Sequence, residues 1–296
     1  MRIHSLIVAV GTLAFCAPSL GAQNFDTIQV RSQALGGGVY ILTGAGGNIG
    51  LAVGDEAVFV VDDQFAPLTP KILAAIAVIT SKPVRFVVNT HWHFDHTGGN
   101  ENIGKAGALI VAHENVRRRM SAGQFIDAIN RQEPPAVHAA LPVVTFTAGV
   151  TFHINGDSIA VAHVPPAHTD GDAIVHFTKA NVIHMGDLFL SAGLPFVDLS
   201  SGGSIHGIIG AADKALSMAN AQTKIIPGHG PIADRARLQA FRDMVAALRD
   251  RIRAEIAAGR TIDQVLAANV TAAYTTSWPG GHERFVRLAY QELSRR

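Results

Sequence analysis

The sequence predicts an α+β fold, and three observations carry that prediction. Short β-branched apolar runs recur up to about residue 226, several of them separated by helical segments. From about residue 234 the apolar residues switch to helical spacing. Turns rich in histidine and aspartate follow directly after several of the strand-like runs.

The elements follow in order. Val39–Leu42, Ile49–Val53 and Ala57–Val61 read as strands joined by the turns Gly44–Asn48 and Gly54–Glu56, the third ending at Asp62 and Asp63. Pro70–Ala77 predicts a helix with proline in its first turn. Val84–Val88 and Ala108–Ala112 predict buried strands, and Glu114–Met120 a short helix. Between Ser121 and Pro142 the pattern weakens, and Pro134-Pro135 marks a loop or partly helical insertion. Strands return at Val143–Phe146, Thr151–Ile154, Ser158–Val164, Ala173–Phe177 and Asn181–His184, with turn residues at Asn155–Asp157 and Lys179–Asn181. A helix over Ile205–Met218 and a strand over Thr223–Ile226 follow. Leu238, Phe241, Val245, Leu248, Ile252 and Ile256 then recur at helical spacing up to Gly259. Thr261–Gln264 fits a capping box, and Glu283–Ser294 predicts a last helix. No repeat or low-complexity linker divides the chain, so residues 23–296 are expected to form one domain, helical from about 234.

At 296 residues, 48% hydrophobic and 16% charged, the chain can bury a sizeable core. A formal net charge of +1, with no basic or acidic block, gives no reason to expect nucleic acid or an anionic membrane surface as a partner. Residues 1–22 read as a secretory signal: Arg2, the apolar run Leu6–Phe15, and the small residues around Ala17–Ala22. The run is too short to span a bilayer. Cleavage after Ala22 is expected, with a periplasmic or secreted product that has no stable membrane insertion. It would also remove Cys16, the sole cysteine, leaving no thiolate for ligation or attack.

The densest chemistry lies at Asn89–Asn100, where His91, His93, Asp95 and His96 fall within one short stretch. An extended backbone would send His91, His93 and Asp95 to one side and Trp92 and Phe94 to the other, with Gly98-Gly99 turning the chain. Crowding these side chains is unfavourable unless a cation organises their lone pairs. Imidazole with carboxylate suits zinc or a similar first-row metal. The alternative is a histidine-rich loop without metal. Three later turns follow strands in the same way: His168 in Val164–Asp172, Asp187 in His184–Phe189, and His229 between glycines in Pro227–Pro231. Each alone reads equally as a capping or surface residue; beside the first motif they become candidate ligands. His163, His176 and His184 read as core or sheet-face residues, and His113, His138, His153, His206 and His282 have no companion motif. Asp172 either hydrogen-bonds near the site or completes the turn after His168.

In these motifs the chain resembles the metallo-β-lactamase superfamily. His91-Trp92-His93-Phe94-Asp95-His96 matches its H-x-H-x-D-H motif, and His168, Asp187 and His229 match its later ligands in order. The resemblance implies a four-layer αββα sandwich with C-terminal helices. It also implies two zinc ions, with iron or manganese as alternatives, in a cleft at one edge of the sheets. His91, His93 and His168 would hold one metal, and Asp95, His96 and His229 the other, with Asp187 bridging. Asp62 matches an aspartate that supports the ligands from behind. The implied activity is hydrolysis of a small molecule by a metal-activated water that Asp95 orients. A β-lactam or related cyclic amide or ester is the expected substrate. A lactone or thioester, with β-lactam turnover incidental, is the alternative. It is favoured by Asp187 where one β-lactamase subclass has cysteine, and by Leu188, Phe189 and Leu190 where a substrate-binding lysine would follow. The Gly44–Asn48 turn resembles the flexible hairpin that covers substrate in β-lactamases. Arg249, Arg251 and Arg253 read as a solvated helix face. The non-enzymatic alternative is an exported metal-binding relay protein. No oligomeric state is predicted.

Overall fold

Strand β1 (Arg31–Gly36) opens an antiparallel meander with β2 (Val39–Thr43), β3 (Ile49–Val53) and β4 (Val58–Val61) in a computed structural model that describes residues 24–295. The expected signal segment 1–22, with Cys16, lies outside the described residues. Helix α1 (Thr69–Ile79) crosses to β5 (Val84–Asn89), parallel to β4. After the single turn α2 (Phe94–Thr97), helix α3 (Asn100–Lys105) leads to β6 (Leu109–His113), parallel to β5. Helix α4 (Glu114–Ala122) is followed by a separate hairpin, β7 (Gln124–Ile126) with β8 (Arg131–Glu133), and β9 (Val144–Phe146) then closes the far edge of the first sheet. The second sheet runs antiparallel through β10 (Gly149–Ile154), β11 (Asp157–His163), β12 (Ala173–Phe177) and β13 (Val182–His184). Helix α5 (Ile205–Met218) crosses to β14 (Lys224–Ile226), parallel to β13, and β15 (Ala233–Asp234) ends the sheet. Helices α6 (Arg235–Ala257), α7 (Ile262–Ala267) and α8 (His282–Leu293) complete the chain.

Central strands are buried on both faces, and their side chains divide with period two. In β4, Phe59 and Val61 join the core between the sheets, while Val58 and Val60 join Ile72 and Ile76 of α1. In β13 and β14, Val182 and Ile226 face between the sheets, while Ile183 and Ile225 pack with α5 and α6. Three apolar interfaces therefore separate four layers, helix, sheet, sheet and helix, which is the αββα sandwich expected. Phe59 anchors the middle interface, meeting Phe152 and Phe177 edge-on at 4.9 and 6.2 Å. Burying each such ring contributes roughly 1.5–3 kcal/mol. Leu238, Phe241, Val245, Leu248 and Ile252 of α6 share one buried cluster with α5, so the C-terminal helices thicken the outer layer. Thr261 and Gln264 form the expected reciprocal cap.

Three elements depart from expectation. β1 shows no apolar alternation because it is an exposed edge that buries Leu35 alone. α3 contains Gly104, and Ile103 is its one buried apolar side chain, so its helical signal is faint. The 121–142 insertion is a hairpin with 3-10 turns, anchored by the buried Ile126, where a loop or partial helix was expected.

Candidate metal centre

The candidate site lies where β4, β5, β11, β13 and β14 end. β5 stops at Asn89, the chain bends at Thr90 and His91, and His93, with φ −61° and ψ 146°, begins α2. Asp95 and His96 thus sit on a helical turn, where an extended run was expected. The turn closes because His93 O accepts from the His96 and Thr97 amides at 3.0 and 3.1 Å, and from Thr97 Oγ1 at 3.1 Å. Trp92 does point away, into packing, and donates to Ser201 Oγ at 3.1 Å. Gly98 has ordinary helical φ and ψ, so it does not turn the chain sharply. Its role is clearance: a Cβ there would lie 2.6 Å from Gln64 O, and one on Gly99 2.7 Å from Asp63 O.

The fold brings all seven candidate ligands together. His91, His93, His168 and Asp187 form one group and Asp95, His96 and His229 another, with the donor atoms of each group within 4.8 Å of one another. Asp187 joins the two. Its Oδ1 is 3.2 Å from His96 Nε2 and 3.3 Å from His229 Nε2, and its Oδ2 is 3.7 Å from His168 Nε2. His229 and Asp95 form the more open rim, 34% and 18% exposed at their side chains, with 3.2 Å between Nε2 and Oδ2.

Outer contacts fix how four of the five rings point. His96 Nδ1 lies 2.8 Å from Asp62 Oδ2, and His168 Nδ1 donates to Phe196 O at 2.6 Å. His91 Nδ1 is 3.0 Å from Thr90 Oγ1, whose hydroxyl donates to Asp62 Oδ2. His93 is reversed: its Nε2 meets Asp198 Oδ2 at 3.0 Å and its Nδ1 faces inward. These outer partners accept a proton, so in a neutral ring the inward nitrogen carries the lone pair. Asp62, expected as a support, therefore holds His96 directly and His91 through Thr90, with its φ at 61°. Asp198 was not foreseen. Its local signal is that of a turn cap, accepting from the Ser200 and Ser201 amides, and nothing near it announces His93.

Other polar groups hold the loops. Asp172 completes the turn after His168, accepting from the amides of His168 and Thr169 at 2.7 and 2.8 Å. His184 is buried and donates to Asn48 O at 3.0 Å. Asn48 in turn donates through Nδ2 to Pro227 O and Gly230 O, both at 2.9 Å, and its amide donates to Gly228 O. Gly47 donates to Asp95 O and accepts from Gln64 Nε2. Through Gly47 and Asn48 the end of the Gly44–Asn48 turn, expected as a flexible covering hairpin, is thus tied to the loops that carry Asp95 and His229. A Cβ on Gly47 would lie 2.1 Å from His96 Cε1. His113 stacks on His163 with centroids 3.8 Å apart and belongs to neither ligand group.

Charge is divided unevenly. Burial, with His96 and His168 beside it, drives His91 well below the usual imidazole range. Burial and His93 push His168 down to about 4. Asp187 instead lifts His229 to about 10 against the cost of burial. Burial opposes charge on His96 too, but Asp187, Asp95 and Asp62 raise it well above its ordinary value. Burial alone would raise Asp187, yet His229 and His96 hold it well below the usual carboxylate range.

Metal fits this arrangement. His91 Nε2 is buried without a hydrogen-bond partner. His168 Nε2 and His93 Nδ1 face each other at 2.8 Å with their other nitrogens already donating, so a shared cation relieves two opposed lone pairs. Five imidazoles and two carboxylates suit a borderline first-row ion. No helix among the described residues is long and apolar enough to cross a membrane.

Residues 42–232 match the family model described as the metallo-beta-lactamase superfamily. The hydroxyacylglutathione hydrolase of Rhodospirillum rubrum is 26% identical over 153 residues, covering 49% of this chain and 48% of that protein. The match thus spans about half the length of that relative. A metallo-beta-lactamase from Pontibacter korlensis superposes with a TM-score of 0.59 at 22% identity, over 74% of this chain and 99% of that one. The sec-alkylsulfatase Pisa1 from Pseudomonas sp. does so at 0.65 and 17%, over 89% and 50%. At these identities the structural likeness is one of fold.

Proposed function

The chain belongs to the metallo-beta-lactamase superfamily, and on that premise we propose a hydrolase, exported, that cleaves the acyl bond of a thioester, ester or lactone in a small molecule. His91, His93 and His168 would hold one metal, and Asp95, His96 and His229 the other, with Asp187 between them. Zinc is the first choice for these donors, and iron or manganese can use them too. Such a pair, when bound, supplies a water of lowered pKa and polarises the scissile carbonyl.

The protein's own residues do the rest. Asp95, near the open rim, orients the attacking water and receives its proton. Burial would raise its carboxyl, but His96 and His229 keep it below the ordinary value and therefore ionised. Asp62, Thr90, Asp198 and Phe196 O fix the rings from outside, so the site is aimed before substrate arrives. The observation that carries this reading is the convergence of six other donors around Asp187, which touches both groups.

Three features support an ester or thioester over a β-lactam. The curated relative is named for thioester hydrolysis. Leu188 and Phe189, which follow Asp187, are buried in the core and offer no cation to a β-lactam carboxylate. Gly47 and Asn48, at the end of the Gly44–Asn48 turn, are tied down, so less of that turn is free to close over a bicyclic substrate. β-Lactam opening is proposed as incidental.

Elemental analysis followed by chelator-sensitive assays on a thioester, a lactone and a chromogenic cephalosporin tests this. Two metals per chain are expected, with thioester or lactone turnover exceeding cephalosporin turnover and Asp95→Ala inactive. A chain that binds metal but is inert on all three would be the relay protein instead. Export predicts a mature N-terminus at Gln23, read by N-terminal sequencing of the periplasmic fraction.

A further inference from the structure

Among the candidate histidines, His229 is the one whose ring has no outer partner. Its Nε2 faces Asp95 and Asp187 at 3.2 and 3.3 Å, and no group among the described residues holds its Nδ1. The chain around it is also intrinsically loose, since glycines flank it and Gly230 has φ 100°. The aim of this ring must therefore come from its backbone.

That backbone is held carbonyl by carbonyl. Every carbonyl oxygen over Pro227–Pro231 accepts a hydrogen bond, and two residues supply the donors. Asn48 donates through Nδ2 to Pro227 O and Gly230 O, and through its amide to Gly228 O. Ser191 supplies the others: its amide donates to His229 O at 3.1 Å and its hydroxyl to Pro231 O at 2.6 Å. Ser191 is buried and lies a few residues after Asp187, so it joins the loop of the bridging ligand to the loop of the rim ligand.

Ser191 is in turn fixed by Arg237, in the first turn of α6. Nε and Nη2 both donate to Ser191 O, at 3.2 and 2.7 Å, and Nη2 also donates to Ser277 O at 2.6 Å. The guanidinium Cζ lies 3.4 Å from the ring centroid of Trp278, a buried side chain that packs on Phe241 of the same helix. Arg237 has no carboxylate partner among the described residues, so its charge goes to two backbone oxygens. A cation stacked on its face and forked at its edge holds a carbonyl more firmly than a neutral donor does.

We propose that Arg237 is a positioning residue for the metal assigned to Asp95, His96 and His229: it fixes Ser191, and Ser191 aims His229. The proposal rests on the two-metal reading of the centre. It makes the outer helical layer, through α6 and Trp278, a determinant of how tightly that ion is held. The ion on His91, His93 and His168 is outside its reach.

Competition titrations of zinc against a chromogenic chelator, run on the full chain, test this. His229→Ala identifies which of the two dissociation constants belongs to the Asp95, His96 and His229 group. Arg237→Ala is expected to raise that constant about tenfold, the low end of the penalty for losing an outer support, and to leave the other unchanged. Arg237→Lys, which keeps the charge but not the fork, should recover part of the loss. In a His229→Ala background Arg237→Ala should add nothing, because the ring it aims is gone. A general loosening of the fold would instead raise both constants and would go on acting without His229; either result overturns the proposal. If Arg237→Ala does not fold, Arg237→Lys in the two backgrounds carries the same comparison. A wild-type chain that binds one ion overturns the two-metal reading and this proposal together. Two ions whose constants are indifferent to Arg237 overturn this proposal alone.

Discussion

Asp198 acts on the metal centre from a turn that has no motif of its own. It is buried, and although burial raises its carboxyl, the His93 bond and the Ser200 and Ser201 groups pull it far below the usual range. An ionised partner on Nε2 turns the His93 lone pair inward through Nδ1. Asp198→Ala is expected to lower metal affinity or turnover by about 10–100-fold, the usual penalty for losing such a support. A competition titration with a chromogenic chelator measures it. Gly47→Ala is the steric counterpart: its Cβ would lie 2.1 Å from the His96 ring and displace a ligand. Metal content is expected to fall toward one ion per chain while far-UV circular dichroism stays unchanged. His91, His93, Asp95 and His96 were legible in H-x-H-x-D-H, and His168, Asp187 and His229 only beside that motif. Asp198 was not, because its partner is 105 residues distant and Asp-Leu-Ser-Ser reads as a cap. Gly98 and Gly99 were visible, but clearance from Gln64 and Asp63, their actual reason, is tertiary.

At the scale of elements, the strands with long β-branched runs were legible, and those lacking an apolar face were not. β4 and β5 announce themselves because both of their faces are buried; β1 is an exposed edge and carries no such signal. The helical turn α2 was hidden for another reason. Alternating histidines suggest extended backbone, but the hydrogen bonds to His93 O close a turn there. Helix α5 shows how an element far from the ligands still places one. Its Gly207 lies against the loop that carries His168, and a Cβ there would come within 1.8 Å of Pro166 O. Gly207→Ala is expected to destabilise the fold by about 1–3 kcal/mol, as overpacking does, even though alanine favours helix. Urea unfolding should show a lower midpoint with unchanged slope.

At the scale of the molecule, the candidate ligands come from both sheets: His91, His93, Asp95 and His96 follow β5, while His168, Asp187 and His229 follow β11, β13 and β14. Metal bound there ties the sheets together, and it binds the folded chain in preference to the unfolded one. At a free concentration of 100 times Kd one ion adds about 2.7 kcal/mol, so a chelator is expected to lower Tm by about 5–10 °C, read by scanning calorimetry. A second global effect comes from the stacked pair His113 and His163. Burial lowers both; beyond that, His163 disfavours charge on His113, and Lys214 disfavours it on His163. The unfolded chain then binds more protons than the folded one just below pH 6.5. Stability is full above that pH and is lost as pH falls through it toward the folded values. Denaturant midpoints between pH 7.5 and 5.5 should show this fall, and a His113→Asn, His163→Gln double variant should make it shallower, the other lowered imidazoles supplying the remainder. The αββα order itself was legible only through resemblance, since strands buried on both sides do not reveal which layer they face. A last consequence concerns the tether through Asn48 and Gly47. One short splice thereby couples the loops of Asp95 and His229, so strain at either is shared by the other.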